Sequence, residues 1–258
     1  SNFFPKNFWD TYNLNNYINS TISVKIEDYA SLKYFGFKKT SKPIHLDIGP
    51  GLGANALYSN YLLDSTYIPL EAHPTSYVTQ RDFFRALALN SNEKVSYTDI
   101  ISLENLGLEY LQIKEHIKNQ FKNKSIIHTP SWHYSLIDNK SLDLITATWV
   151  LNEVNVAGIC WIIYNSCRTL KKNGFFYIRD SSKLKPNRHN VNYDKLLISL
   201  GFDLVGKLPV KNRVDIHGIP RAYKKKKEFH FKNFETFYNK VLKRSDSYSH
   251  GGNFQQTS

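Results

Sequence analysis

Short apolar runs alternate along this chain with longer stretches whose apolar positions recur at helical spacing. Ile44, Leu46 and Ile48 mark a first strand, and Ala54, Leu57, Tyr58, Tyr61 and Leu62 mark a helix behind it. Tyr67 to Leu70 is a second strand; after His73-Pro74 breaks it, Tyr77, Arg81, Phe84, Leu87 and Leu89 predict another helix. Leu103, Leu106, Leu111, Ile113 and Ile117, set among charges, predict helix within residues 91–124. Strands follow at Ser125–His128, at Asp143–Ala147 after the polar turn from Asp138, and at Phe175–Ile178. Between the last two, Ile159, Ile162, Ile163 and Cys167 predict a helix that Lys171, Lys172, Asn173 and Gly174 end with cations and a glycine. Leu196, Leu197 and Leu200 predict a final core helix, and Phe202–Lys207 with Pro220–Lys225 an antiparallel closing pair. Strands that alternate with helices predict a mostly parallel sheet covered on both faces, seven strands in all.

The 258 residues suffice for one large α/β domain with appendages. The pattern divides them into an aromatic-rich N-terminal helical cap (1–41), a core domain (42–227) with a helical insert at 91–124, and a basic, aromatic C-terminal tail (228–258) with a helix near Phe234–Leu242. No apolar run approaches the roughly 18 residues of a membrane span, and no secretory signal is visible, so a cytoplasmic protein is expected. Cys160 and Cys167, seven positions apart, suit neither a metal site nor a disulfide framework and read as buried small hydrophobes. The formal net charge of +12 asks for an anionic partner, whether nucleic acid, anionic lipid or acidic polysaccharide. Lys207, Lys211, Arg213, Arg221 and the run Lys224–Lys227 concentrate that charge.

The chemistry is densest between residues 42 and 74. The first strand ends at Asp47-Ile48 and runs straight into Gly49, Pro50, Gly51 and Gly53, and Glu71 ends the second strand about eighteen residues beyond Gly53. Glycines let a ligand approach the backbone, and the free N–H groups of the helix start face it. A carboxylate at the end of the second strand can accept the hydroxyls of a ribose. Strand, glycine turn, helix, strand and acid together describe a site for an adenosine.

The order D-x-G-x-G-x-G differs from the dinucleotide fingerprint G-x-G-x-x-G and resembles motif I of the class I S-adenosylmethionine-dependent methyltransferases. That resemblance implies a Rossmann-like fold and S-adenosylmethionine as cofactor. It implies contacts from Asp47, Gly49, Pro50, Gly51 and Gly53, from Glu71 and Ala72 at the ribose, and from Thr148 at the end of the strand beside the transferred methyl. Where the class often carries an acid for the adenine, this chain has Thr129 to His133, so Ser131 or a backbone group is expected to serve there, with Trp132 stacking on the base. The segment Asp143–Asp180, with Trp149, Glu153, Asn155, Gly174, Phe175 and Phe176, and the segment Pro74–Arg81 resemble the sugar O-methyltransferases of bacterial surface-polysaccharide clusters. This narrower resemblance implies a saccharide acceptor, with RNA methylation or a non-catalytic scaffold as the alternatives.

Methyl transfer to a hydroxyl calls for alignment and for a base that removes the proton. Glu153 is the first candidate, followed by His133 and Asp180. Asp180 with His189 forms no defined metal pattern, and no metal is expected.

Overall fold

The structure is a computed structural model that describes residues 15–38, 42–91, 95–180, 189–207 and 218–250, with side chains from residue 24 onward. The chain divides into two compact units, 1–136 and 137–258. The aromatic positions Phe3 to Tyr12 lie outside the described residues.

Unit 1 begins with helix α1 (Asn15–Tyr34), followed by strand β1 (Ile44–Ile48). A three-residue α-helical turn, α2 (Asn55–Leu57), widens into a π-type turn over Tyr58–Leu62, closed by the Leu63 N–H on the Tyr58 carbonyl at 2.9 Å. Strand β2 (Thr66–Glu71), helix α3 (Pro74–Leu89), strand β3 (Ser96–Asp99), helices α4 (Ile100–Asn105) and α5 (Tyr110–Gln120) and strand β4 (Ser125–Pro130) complete it, with a 3-10 turn at Ser131–Leu136. The strands stand in the order β3-β4-β2-β1, and β1 with β2, β2 with β4 and β3 with β4 all pair parallel. β1, β2 and β4 are buried at every position, the continuous burial that parallel strands covered on both faces require. Tyr67, Phe84, Leu87, Val95 and Ile126 form a core cluster behind the glycine turn.

Unit 2 holds strand β5 (Leu142–Thr148), helix α6 (Val156–Thr169), strand β6 (Leu170–Arg179), helix α7 (Tyr193–Ser199), strands β7 (Phe202–Lys207) and β8 (Pro220–Lys225), and helices α8 (Phe234–Lys243) and α9 (Ser245–Tyr248). Its strand order is β5-β6-β8-β7; β5 and β6 are parallel, and β8 is antiparallel to both its neighbours. The mostly parallel architecture with an antiparallel end is the one expected, but the described residues hold eight strands rather than seven. The addition is β3, inside the stretch read as a helical insert. The sequence reading missed it because Ser96–Asp99 is only four residues long and three of them, Ser96, Thr98 and Asp99, are polar, which leaves no apolar run to read.

The expected end of α6 is also corrected. The helix stops at Thr169, ahead of the lysines, and the left-handed residue is Asn173 (φ 66), not Gly174. Lys171 instead reaches back to the Asp143 carboxylate at 2.8 and 2.9 Å. Arg168 supplies a cation in the last turn, and β8 adds a second one, the buried Lys225 ammonium, which donates to the Cys167 and Leu170 carbonyls at 2.8 and 2.7 Å. Lys225→Met leaves those carbonyls without a donor and is expected to cost about 1–3 kcal/mol. A urea midpoint equal to that of the wild type would show that the carbonyls find other partners.

The C-terminal residues up to 250 pack rather than trail. Tyr164 on α6 meets Phe229, Phe234 and Phe237 at ring-centroid distances of 5.3 to 5.8 Å, and Asn233 caps the α8 N-terminus.

Candidate active site

The turn after β1 is built on backbone that only glycine adopts readily. Gly49, Gly51 and Gly53 have φ values of 61, 61 and 78°. The Gly49 N–H donates to the Leu70 carbonyl at 3.0 Å and the Gly53 N–H to the Pro50 carbonyl at 3.0 Å, so the turn is stitched to β2 and to itself. The two later glycines differ in what surrounds them. A Cβ on Gly53 would stand 2.6 Å from two ring carbons of Phe84, whereas one on Gly51 would meet nothing within 4 Å. The turn is therefore packed tightly on its inner side and open at Gly51, as a backbone approached by a ligand needs to be.

Asp47 braces this turn from beneath. It is fully buried, and its Oδ2 accepts from Asn55 Nδ2 and from the Tyr67 hydroxyl, both at 2.7 Å. Burial and the neighbouring Asp47 raise the pKa of that Tyr67 hydroxyl well above its ordinary value, so it stays a donor. Asp47 thus ties the end of β1 to β2 and to the start of α2.

Glu71 is 6% exposed at the end of β2. Its Oε1 accepts from the backbone N–H groups of Ala72 and His73, both at 2.8 Å, and its Oε2 accepts from Gln80 Nε2 at 2.7 Å. A carboxylate has about four acceptor positions, so three donors leave one for a ribose hydroxyl rather than two. Gln80 went unremarked as a site residue in the sequence, though it lies in the Pro74–Arg81 segment. It also donates to the Gly51 carbonyl, and its Oε1 lies 3.1 Å from His128 Nε2. Burial lowers the His128 pKa to about 3, so a neutral ring with its proton on Nε2 faces Gln80 while Nδ1 faces the Tyr97 hydroxyl at 3.3 Å. Gln80 therefore joins the open glycine to the acid of β2. A buried glutamine on a helix gives no pattern that sequence reading can use.

After β4, Ser131 is half-buried and Trp132 is 58% exposed, which leaves the indole free to cover a ring. His133 Nε2 stands 2.6 Å from Glu104 Oε1, a partner that holds it within unit 1. Asp99, an acid near this region, is spent locally: it accepts from the Tyr77 hydroxyl at 2.7 Å and from Ile101 N–H and Ser102 Oγ at the start of α4.

In unit 2, β5 ends at the buried Thr148, and Trp149 follows with φ 67, a left-handed conformation that a bulky side chain rarely takes. Its N–H donates to the Arg179 carbonyl at 2.8 Å. Such strain persists only where the surroundings enforce it, and it concentrates at functional sites. Asn152 Nδ2 then donates to the Asp180 carbonyl, tying this loop to the end of β6.

Asp180 is the carboxylate that stands out. It is 6% exposed, and among the described residues only the Leu151 and Asn152 backbone amides approach its carboxylate, outside ordinary hydrogen-bond geometry. Burial, opposed by the nearby Asn152 and Leu151 amides and by Arg221 and assisted by the charge of Glu153, raises its pKa from 3.8 to about 7. Glu153, the first candidate from the sequence, is exposed, and its backbone N–H closes a turn on the Val150 carbonyl. Asn155 beside it caps α6 through the Gly158 N–H at 2.8 Å. Among the described residues no cluster of three or more His, Cys, Asp or Glu side chains could hold a metal ion, and no helix is long and apolar enough to cross a membrane.

The fold is that of the class I S-adenosylmethionine-dependent methyltransferases. Among solved structures, the chain is similar to the phosphoethanolamine N-methyltransferase 1 of Haemonchus contortus, with 15% identity, a TM-score of 0.52, 91% of this chain covered and 51% of the other. It is also similar to a protein of Galdieria sulphuraria provisionally described as a sarcosine dimethylglycine methyltransferase, with 10% identity, a TM-score of 0.51, 82% of this chain covered and 88% of the other. No family model matches the chain, and no curated protein matches it.

Proposed function

We propose that the protein is an S-adenosylmethionine-dependent O-methyltransferase whose acceptor is a sugar hydroxyl, in the synthesis of a surface polysaccharide or glycolipid. The observation that carries this reading is the glycine turn, open at Gly51 and next to the buried Glu71. Its residues suit the cofactor: Gly51 offers bare backbone, Glu71 keeps one acceptor position for the ribose, and Ser131 with the exposed Trp132 stands where the base would lie. The cofactor bound to the Haemonchus relative is S-adenosylhomocysteine, the demethylated product, on the same fold.

The cofactor supplies a methyl group on a sulfonium, an electrophile that needs only an aligned nucleophile. The choice of a hydroxyl rests on Asp180. An alcohol attacks once its proton is removed, and a base that titrates near neutral pH is suited to that task. Glu153 contributes through its charge, which holds the Asp180 pKa up. The strained Trp149 beside Thr148 offers an aromatic surface of the kind that pyranose rings pack against. The two free buried thiols, with pKa values raised to about 12 by burial, suit a reducing cytoplasm.

Incubation with methyl-labelled cofactor and separate fractions of sugar nucleotides, polysaccharide and RNA tests the acceptor, and label in RNA alone would end the sugar reading. RNA stays the second reading because of the net charge of +12. Glu71→Ala tests the cofactor site. It strands the Ala72, His73 and Gln80 donors and removes the ribose acceptor, so S-adenosylhomocysteine should bind at least about tenfold more weakly by calorimetry. Unchanged affinity would remove Glu71 from the site.

A further inference from the structure

Away from these residues, unit 2 carries a cleft of about 280 Å³ between the end of α7, the segment Lys227–Phe231 and the outer end of α8. Phe229 and Phe231 line it together with Tyr248, and Lys227, Lys240 and Arg244 supply positive charge. We propose that this cleft binds a small phosphorylated ligand, with its phosphate among the three cations and an apolar ring against the phenylalanines.

The cations are held there by structure. Gly201 (φ 91) lets the chain after β8 come so close that its carbonyl accepts from both Lys226 and Lys227 N–H, at 2.9 and 3.1 Å, which fixes Lys227 at the mouth. Lys240 Nζ lies 5.0 Å above the Phe231 ring and the Arg244 guanidinium 5.5 Å above Tyr248, so both side chains lie along aromatic faces. Among the described residues no acid forms an ion pair with any of the three, and the acid that lines the cleft, Glu228, is engaged by Lys140 at 3.1 Å. Arg244 caps the C-terminus of α8 four positions after Lys240, so two like charges share that helix end. The helix dipole accounts for cations at the end of α8 but not for Lys227, which arrives from another segment to face them. A dianionic phosphate offsets the mutual repulsion of all three, and guanidinium with ammonium is the donor set that binds it well. The volume is at the lower end for ligand pockets, which fits a mononucleotide-sized molecule rather than a larger one.

The full chain, titrated at low salt with uridine monophosphate, uridine and a short single-stranded oligouridylate, tests this, with and without S-adenosylhomocysteine. The monophosphate should bind saturably, at least about tenfold more tightly than uridine and independently of S-adenosylhomocysteine, and Lys240→Gln/Arg244→Gln should weaken it by about tenfold or more. Both positions are exposed, so the double variant should keep the wild-type melting temperature. Absence of saturable binding, equal affinity for uridine, an unaffected double variant or competition by S-adenosylhomocysteine would each overturn the assignment. Binding of the oligomer without the monophosphate would do so too, by making the cleft a nucleic-acid contact. None of these outcomes bears on the methyltransferase reading, which the Glu71 variant tests separately.

Discussion

Gly53→Ala is expected to destabilise unit 1 by about 2–5 kcal/mol and to abolish cofactor binding. Two costs combine. A residue with a Cβ held at φ 78° pays about 1–2 kcal/mol for the left-handed conformation. The new methyl also stands 2.6 Å from Cε1 and Cζ of Phe84, a ring that is fully buried and packed edge-on against Tyr67 at 6.0 Å, and overpacking of this kind costs about 1–3 kcal/mol. Relief requires either Phe84 or the turn to move, and the turn carries the site. Gly51→Ala is the control: it bears the conformational cost at φ 61° but meets no atom within 4 Å, so it should be the milder of the two in stability. Denaturant unfolding of both variants decides the matter. If the two lose equal stability, contact with Phe84 is not what makes position 53 special.

Asp180→Asn is expected to lower the rate of methyl transfer by about a hundredfold to ten-thousandfold while leaving affinity for S-adenosylhomocysteine unchanged. In the wild type, kcat should rise with pH through about 7 as the carboxyl group loses its proton. Glu153→Gln removes a charge that helps to hold that proton, so its profile should shift to lower pH. The same substitution at 180 has an opposite effect on stability. The Asp180 pKa is higher in the folded protein than in the unfolded chain, so the folded state takes up the proton more readily. Its favourable contribution is complete below pH 3.8 and is lost as pH rises to about 7. At pH 8 the native protein carries a buried carboxylate whose desolvation outweighs the help of its neighbours, and the neutral amide of Asp180→Asn should raise the melting temperature there but not at pH 4. A variant that is inactive yet no more stable at pH 8 would make Asp180 a structural residue rather than a base.

Other residues changed standing between sequence and structure for reasons of distance. Glu153 follows β5 and is exposed, and what the structure adds is that its charge helps to raise the Asp180 pKa. His133 has the right side chain for proton transfer, and the structure sets its Nε2 2.6 Å from Glu104 Oε1, some thirty residues earlier in the chain. Gln80, Lys225 and the Lys227–Arg244 cleft carry no local signature at all. Each acts on groups brought near it by strand pairing or helix packing, from 9 residues away in the Gln80–Glu71 contact to 58 in the Lys225–Cys167 contact.

By itself the sequence determined the alternation of strands and helices, the glycine turn and the acid of β2, because each rests on local rules. Apolar periodicity reports burial directly, and a D-x-G-x-G-x-G turn requires backbone angles that few residues other than glycine supply. Only the tertiary structure decided which carboxylate is buried with its pKa raised, which glycine has open space beside it, and how many donors Glu71 already holds. Those properties depend on desolvation and on contacts between segments far apart in the chain, and no local pattern of residues encodes them.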